Sequence, residues 1–150
     1  MVAVGLFAAQ LGGRALWLVP LTFVSVMALA GVAGMGGVKL PLVEVGIGMS
    51  VVVLGLAIAF QLNLPTLAAM GLVGFFAIFH GHAHGAEMPE SVSGFAYGVG
   101  FVCATALLHA VGIGLGTATG HASKEYNRRI IQVSGGAMAI AGIAILAGVL

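Results

Sequence analysis

Charge is what this sequence has least of: five Lys+Arg and four Asp+Glu among 150 residues, 6% in all, where a soluble domain carries about 25%. Nine charges cannot cover the surface of a water-soluble fold of this size, which excludes an ordinary cytosolic globule. The formal net charge of +1 leaves no basic face for nucleic acid, and no nucleic-acid partner is expected. Cysteine is nearly absent as well. Cys103 alone excludes a disulfide framework and a multi-Cys zinc or iron–sulfur site, and it reads as a buried small apolar residue. Disorder, which needs low hydrophobicity and high net charge, is excluded by a composition that is 61% hydrophobic with a mean hydropathy of +1.19. The fold class that remains is all-α, a polytopic transmembrane helix bundle in a lipid bilayer, because helices satisfy every backbone polar group internally.

A helix needs about 20 apolar residues to cross about 30 Å of hydrocarbon. Val2 to Leu11 is apolar but half that length, and Gly12-Gly13-Arg14 ends it. Full spans are predicted over Ala15 to Gly36, with Trp17 at interfacial depth, and over Leu42 to Phe60, with Glu44 within reach of headgroup water. Gln61 to Pro65 connects to Thr66–His84, with Pro65 suited to a helix start. A polar connector from Gly85 to Ser93 leads to Gly94–Gly120, a block long enough to tilt. A loop with Lys124, Glu125, Arg128 and Arg129 precedes Ile130 to Leu150. The expectation is five full spans plus a partial first helix, in one transmembrane domain over residues 1–150.

A β-barrel would need strands of about 10 residues alternating apolar and polar, and these blocks are continuously apolar for longer. Glycines at spacing four, Gly94–Gly98 and Gly112–Gly116–Gly120, predict small faces for close helix packing. Arg14, Lys124, Arg128 and Arg129 fall in odd-numbered connectors, and Lys39 in an even one. The odd connectors are therefore expected in the cytoplasm, with the chain ends and the connector after His84 outward. The implied location is the inner (plasma) membrane, as a multi-pass protein; self-association into a homo-oligomer stays open.

Chemistry concentrates in the histidines. Three of five lie in Phe79-His80-Gly81-His82-Ala83-His84-Gly85-Ala86-Glu87-Met88-Pro89. At about 100° per residue His80 and His84 differ by about 40°, and Glu87 falls about 20° from His80. All three project from one face if the helix reaches Glu87, while His82 points the other way. Two imidazoles and a carboxylate suit a borderline divalent cation such as Ni²⁺, Co²⁺ or Zn²⁺. The bland alternative is a set of solvated end groups at the membrane boundary, but ionisable groups in spans are rare and usually functional. Gly81 and Gly85 leave room for an ion or a neighbouring helix. His109, one turn after Thr105 in the fifth span, is either a structural histidine bonded to a neighbour or a deeper ligand or relay. His121 reads as solvated and Glu90 as loop charge. Met27, Met35, Met49, Met70 and Met138 form no close cluster in the sequence, so a thioether copper site is not expected.

The segment Phe79 to Glu87 resembles the FHGxAHGxE motif of the HupE/UreJ family of nickel, and in some members cobalt, permeases. The resemblance extends over the whole chain, including Val2-Ala3-Val4-Gly5-Leu6-Phe7-Ala8-Ala9-Gln10-Leu11-Gly12-Gly13. It implies a six-helix transporter supplying metal to hydrogenase or urease maturation. His80, His84 and Glu87 match the family's metal-associated positions, and His82 its variable one. Family members also carry a signal peptide and a first-helix HPxxGxDHxxAM motif. Met1 matches the final Met of that motif, so its His and Asp ligands are not in this sequence. The 150-residue chain expressed alone is therefore expected to insert poorly and to give no nickel uptake.

The leading reading is a secondary-type permease for Ni²⁺ or Co²⁺. His80, His84 and Glu87 would be its metal residues, with His109 and His82 as lesser candidates, and no cofactor would be permanently bound. No GxxxxGK[ST] stretch is present for ATP hydrolysis, and no HExxH or GxSxG turn for an intramembrane hydrolase, so no enzyme is expected. Neutral imidazoles bind metal, so protonation near about pH 6 would weaken the site. The second reading is a membrane electron carrier with b-type haem between two histidines such as His80 and His109. It leaves Glu87 and the third nearby histidine without a role.

Overall fold

The computed structural model describes residues 1–89, 91–118 and 124–149. Among these, six helices follow one another: α1 (Val2–Leu11), α2 (Ala15–Met35), α3 (Val43–Ala59), α4 (Thr66–Ala86), α5 (Gly94–Ala118) and α6 (Lys124–Leu146). Gly12 and Gly13, at φ 68° and 52°, turn the chain between α1 and α2 through a region that favours glycine. Pro65 caps the start of α4, where its missing N–H has no intrahelical partner to lose.

Among the described residues four helical stretches are long and apolar enough to cross a membrane: Ala15–Met35, Thr66–Ala86, Gly94–Ala118 and Arg128–Leu146. Helix α3, with 17 residues, rises about 26 Å and α1, with 10, about 15 Å. Large apolar side chains such as Trp17, Leu29, Leu67 and Phe95 point outward. That is the distribution of a bundle whose surroundings are themselves apolar.

Among the described residues, three boundaries differ from the sequence expectation by more than one residue. Lys124, Glu125, Arg128 and Arg129 lie within α6, not in a loop before it. Charge at a membrane end does not terminate a helix, because long basic side chains extend to headgroup water. Helix α6 stops at Leu146, where Gly148 at φ 68° and the Val149 N–H donating to the Ala144 carbonyl (3.0 Å) close it. Helix α4 continues past His84 to Ala86, and Pro89 accounts for its ending soon after. Gly120, His121 and Glu90 fall outside the described residues.

Packing is organised by glycine into three close pairs. A Cβ on Gly81 or Gly85 of α4 would meet the backbone of Met27 or Gly31 on α2. Both registers ascend together, so α2 and α4 run parallel. Gly5 of α1 lies against the backbone of His109 and Gly112, and Gly116 of α5 against Ala9, so α1 and α5 are parallel too. Gly55 meets Ala139 while Gly135 meets Ala59, which makes α3 and α6 antiparallel. Backbones this close gain dispersion that lipid tails cannot supply. Gly112 and Gly116 fulfil the expected seam. Gly94 and Gly98 do not: a Cβ on Gly98 would meet nothing within 4 Å, and both glycines line an apolar groove between α2 and α5. Cys103, expected buried, is exposed on the same groove, because α5 turns its cysteine face away from α1.

The shortest helix lies deep in the bundle. Val4, Phe7 and Ala8 of α1 are buried, in one core with Val19, Phe23 and Met27 of α2, Leu54 and Ile58 of α3, and Val73 and Ala77 of α4. At its C-terminal end Gln10 Nε2 donates to the carbonyls of Leu62 (3.1 Å) and Ala57 (3.4 Å), tying α1 to the end of α3.

Candidate metal site

The last turns of α4 place the three clustered histidines in three environments. His80 is half-buried, and its Nδ1 lies 3.1 Å from the Phe76 carbonyl one turn back. A carbonyl only accepts, so Nδ1 carries the proton and Nε2 presents the lone pair. Metal-binding imidazoles are commonly held in this way by a backbone acceptor. His84 is exposed, stacks on Phe101 of α5 at a centroid distance of 4.2 Å, and has its Nδ1 3.4 Å from the Tyr97 hydroxyl. Glu87 is the exposed C-cap residue of α4. His82, on the opposite face, is buried against the α2–α3 connector, with Nε2 donating to the Val38 carbonyl at 2.5 Å.

Among the described residues His109 is the most enclosed histidine, 2% exposed, and neither ring nitrogen has a hydrogen-bond partner there. Leaving a buried polar atom unsatisfied costs about 1–3 kcal/mol. One turn earlier on the same face, the Thr105 hydroxyl donates to the Met27 sulfur at 3.5 Å. The structural alternative, a His109 bonded to a neighbouring helix, finds no partner in this arrangement.

Phe23 of α2 joins the two levels. Its ring meets His80 edge-on at 5.6 Å and His109 at 5.2 Å, with interplanar angles of 65° and 84°. Phe23 and His80 also line a cavity of about 390 Å³, to which α3 contributes Ser50 and α6 contributes Met138. Sequence reasoning missed Phe23, because one phenylalanine in an apolar span carries no signal of its own. Only the pairing of α2 with α4 and the approach of α5 reveal it.

The structure therefore brings His80 and His109 against one aromatic ring. His84 and Glu87 stay at the open end of α4, and His82 behind it. No three His, Cys, Asp or Glu side chains converge on a point among the described residues. Gly81 and Gly85 are accounted for by helix packing: the room they leave is taken by the α2 backbone.

Comparison with known proteins places the chain in a family. A family model described as "HupE / UreJ protein" matches residues 1–145. Protein HupE of Rhizobium leguminosarum bv. viciae is 47% identical over 151 residues, covering 99% of this chain and 76% of that protein. No solved structure matches the chain. The motif on α4, the all-helical membrane architecture and these two likenesses lead to one assignment: the chain belongs to the HupE/UreJ family.

Proposed function

We propose that the chain is a permease for a divalent transition metal, Ni²⁺ first and Co²⁺ as the alternative cargo, supplying hydrogenase or urease maturation. The observation that carries this reading is the seam at Phe23, where a half-buried and a fully buried imidazole face one ring from different helices. Isolated imidazoles in a bundle interior are costly, and such groups mark ion paths more often than structural contacts. On this reading His84 and Glu87 capture the ion at the open end of α4. His80 takes it with the Nε2 lone pair, and His109 is the deeper stop beyond Phe23. Imidazole donors suit Ni²⁺ and Co²⁺ alike, so geometry and supply decide between them. The α4 end faces outward in the inner membrane if the basic residues orient the chain as they do in other polytopic proteins.

The test is accumulation of radiolabelled Ni²⁺ by a nickel-starved host, with the variants made in a version that also carries the family's first-helix motif and with membrane insertion of each checked separately. His80→Ala and His84→Ala should each reduce uptake at least about tenfold, the scale on which metal sites respond to loss of a ligand or its support. Normal uptake by both variants would refute the role given to the stripe.

A further inference from the structure

At the end of the bundle opposite His84, a cavity of about 320 Å³ is lined by Gln10 and Leu11 at the end of α1 and by Gln61, Leu62 and Asn63 just past α3. The two ends are separated by the length of α4, 21 residues or about 31 Å. Three carboxamides in one wall are unusual in a chain with so few polar side chains. Their arrangement is specific. The Gln10 amide nitrogen faces two carbonyls, those of Ala57 and Leu62, and carbonyls only accept. The NH₂ is thereby committed to the protein and Oε1 is the group left over; it is buried and accepts no hydrogen bond. Gln61 holds a left-handed backbone at φ 51°, uncommon for a residue with a side chain. Helices α1 and α3 both end at this cavity, and helix C-termini carry partial negative charge that favours cations. The nearby cation is Arg14, which is exposed and not part of the lining.

We propose that this cavity is a weak, oxygen-donor station for a divalent cation, with Gln10 Oε1, Gln61 and Asn63 as its donors. Carboxamide and carbonyl oxygens hold Ni²⁺ or Co²⁺ less tightly than imidazole does, whereas they suit harder ions such as Mn²⁺. Placed at the far end of the bundle from the histidine stripe, such a station favours release over retention. Its role in transport rests on the permease reading; the binding site itself does not.

The experiment is therefore a binding titration of the full chain in lipid nanodiscs, without a polyhistidine tag, using Mn²⁺ as a paramagnetic probe. Side-chain amide signals of Gln61 and Asn63 are followed by nuclear magnetic resonance after selective ¹⁵N labelling. Both signals should broaden saturably with a midpoint on the order of a millimolar, the range of weak oxygen-ligand sites. Gln10→Leu should move the midpoint at least tenfold upward, and Asn63→Asp about tenfold downward. His84→Ala should leave it unchanged. Because Gln10 also ties α1 to α3, Asn63→Ala, an exposed connector change read at Gln61, gives the same weakening without touching that tie. No broadening, or broadening that ignores both Gln10→Leu and Asn63→Ala, overturns the site. Nickel accumulation measured in parallel, in a version that also carries the family's first-helix motif, separates the outcomes: Mn²⁺ binding here with no nickel accumulation there refutes the permease reading alone.

Discussion

Replacing Gly81 by alanine tests the packing that holds the histidine stripe in place. In a helix open to its surroundings, Gly→Ala stabilises by about 1 kcal/mol. At Gly81 the added methyl would fall against the Met27 carbonyl, carbon and Cα, all of them backbone. No side-chain rotamer can relieve that overlap, so α2 and α4 must separate. Overpacking of this kind costs about 1–3 kcal/mol, and parting a glycine seam also forfeits contacts along its length. The net expectation is a loss of about 1–2 kcal/mol. Gly98→Ala supplies the control, since its methyl meets nothing within 4 Å and only the propensity gain remains. For a chain of about this size 1 kcal/mol moves Tm by about 2–4 °C. Thermal unfolding in mild detergent, followed by Trp17 fluorescence, should place Gly81→Ala several degrees below the parent and Gly98→Ala at or above it. Equal melting of the two variants would refute the assignment of Gly81 to the α2–α4 contact.

Two further outcomes are expected. His82→Ala should reduce nickel accumulation less than His80→Ala or His84→Ala, because His82 faces the α2–α3 connector and not the stripe; if it is the most damaging of the three, the helical stripe is wrong. A reporter active only outside the cytoplasm should work when fused after Leu150 and be silent when inserted near Lys124, and the reverse pattern would place the histidine end of α4 inward.

Element boundaries were legible where an apolar run met a Gly-Gly pair or a proline, and not where it met the charges that lie inside α6. Val2–Leu11 is bounded by Gly12-Gly13, and Thr66 follows Pro65, as expected from the sequence. Helix type was legible from length alone, since runs of such hydrophobicity have one other membrane solution and lack its alternation. Which helix pairs with which was not legible. Gly94–Gly98 and Gly112–Gly116 share one spacing on one helix, yet only the second pair meets a backbone. Spacing shows that a face is small and says nothing about what lies opposite. The same limit hid the exposure of Cys103 and the place of Phe23. His80 and His84 could be read onto one face of α4 from periodicity, but their different depths arise from neighbours on α2 and α5. Those neighbours lie more than 50 residues away from His80 in one case and fewer than 20 from His84 in the other.

The parallel pairs α2–α4 and α1–α5 carry a mechanical consequence. Within each pair backbones touch through glycine, and nothing there can slide without a clash or a gap. Between the pairs, contact passes mainly through side chains, and side chains can change rotamer at little cost. The molecule is thus jointed where its pairs meet, and His80 rides on one pair while His109 rides on the other. Phe23 is the pad in that joint. A small roll of α1–α5 against α2–α4 changes the separation of the two imidazoles while every glycine seam stays shut.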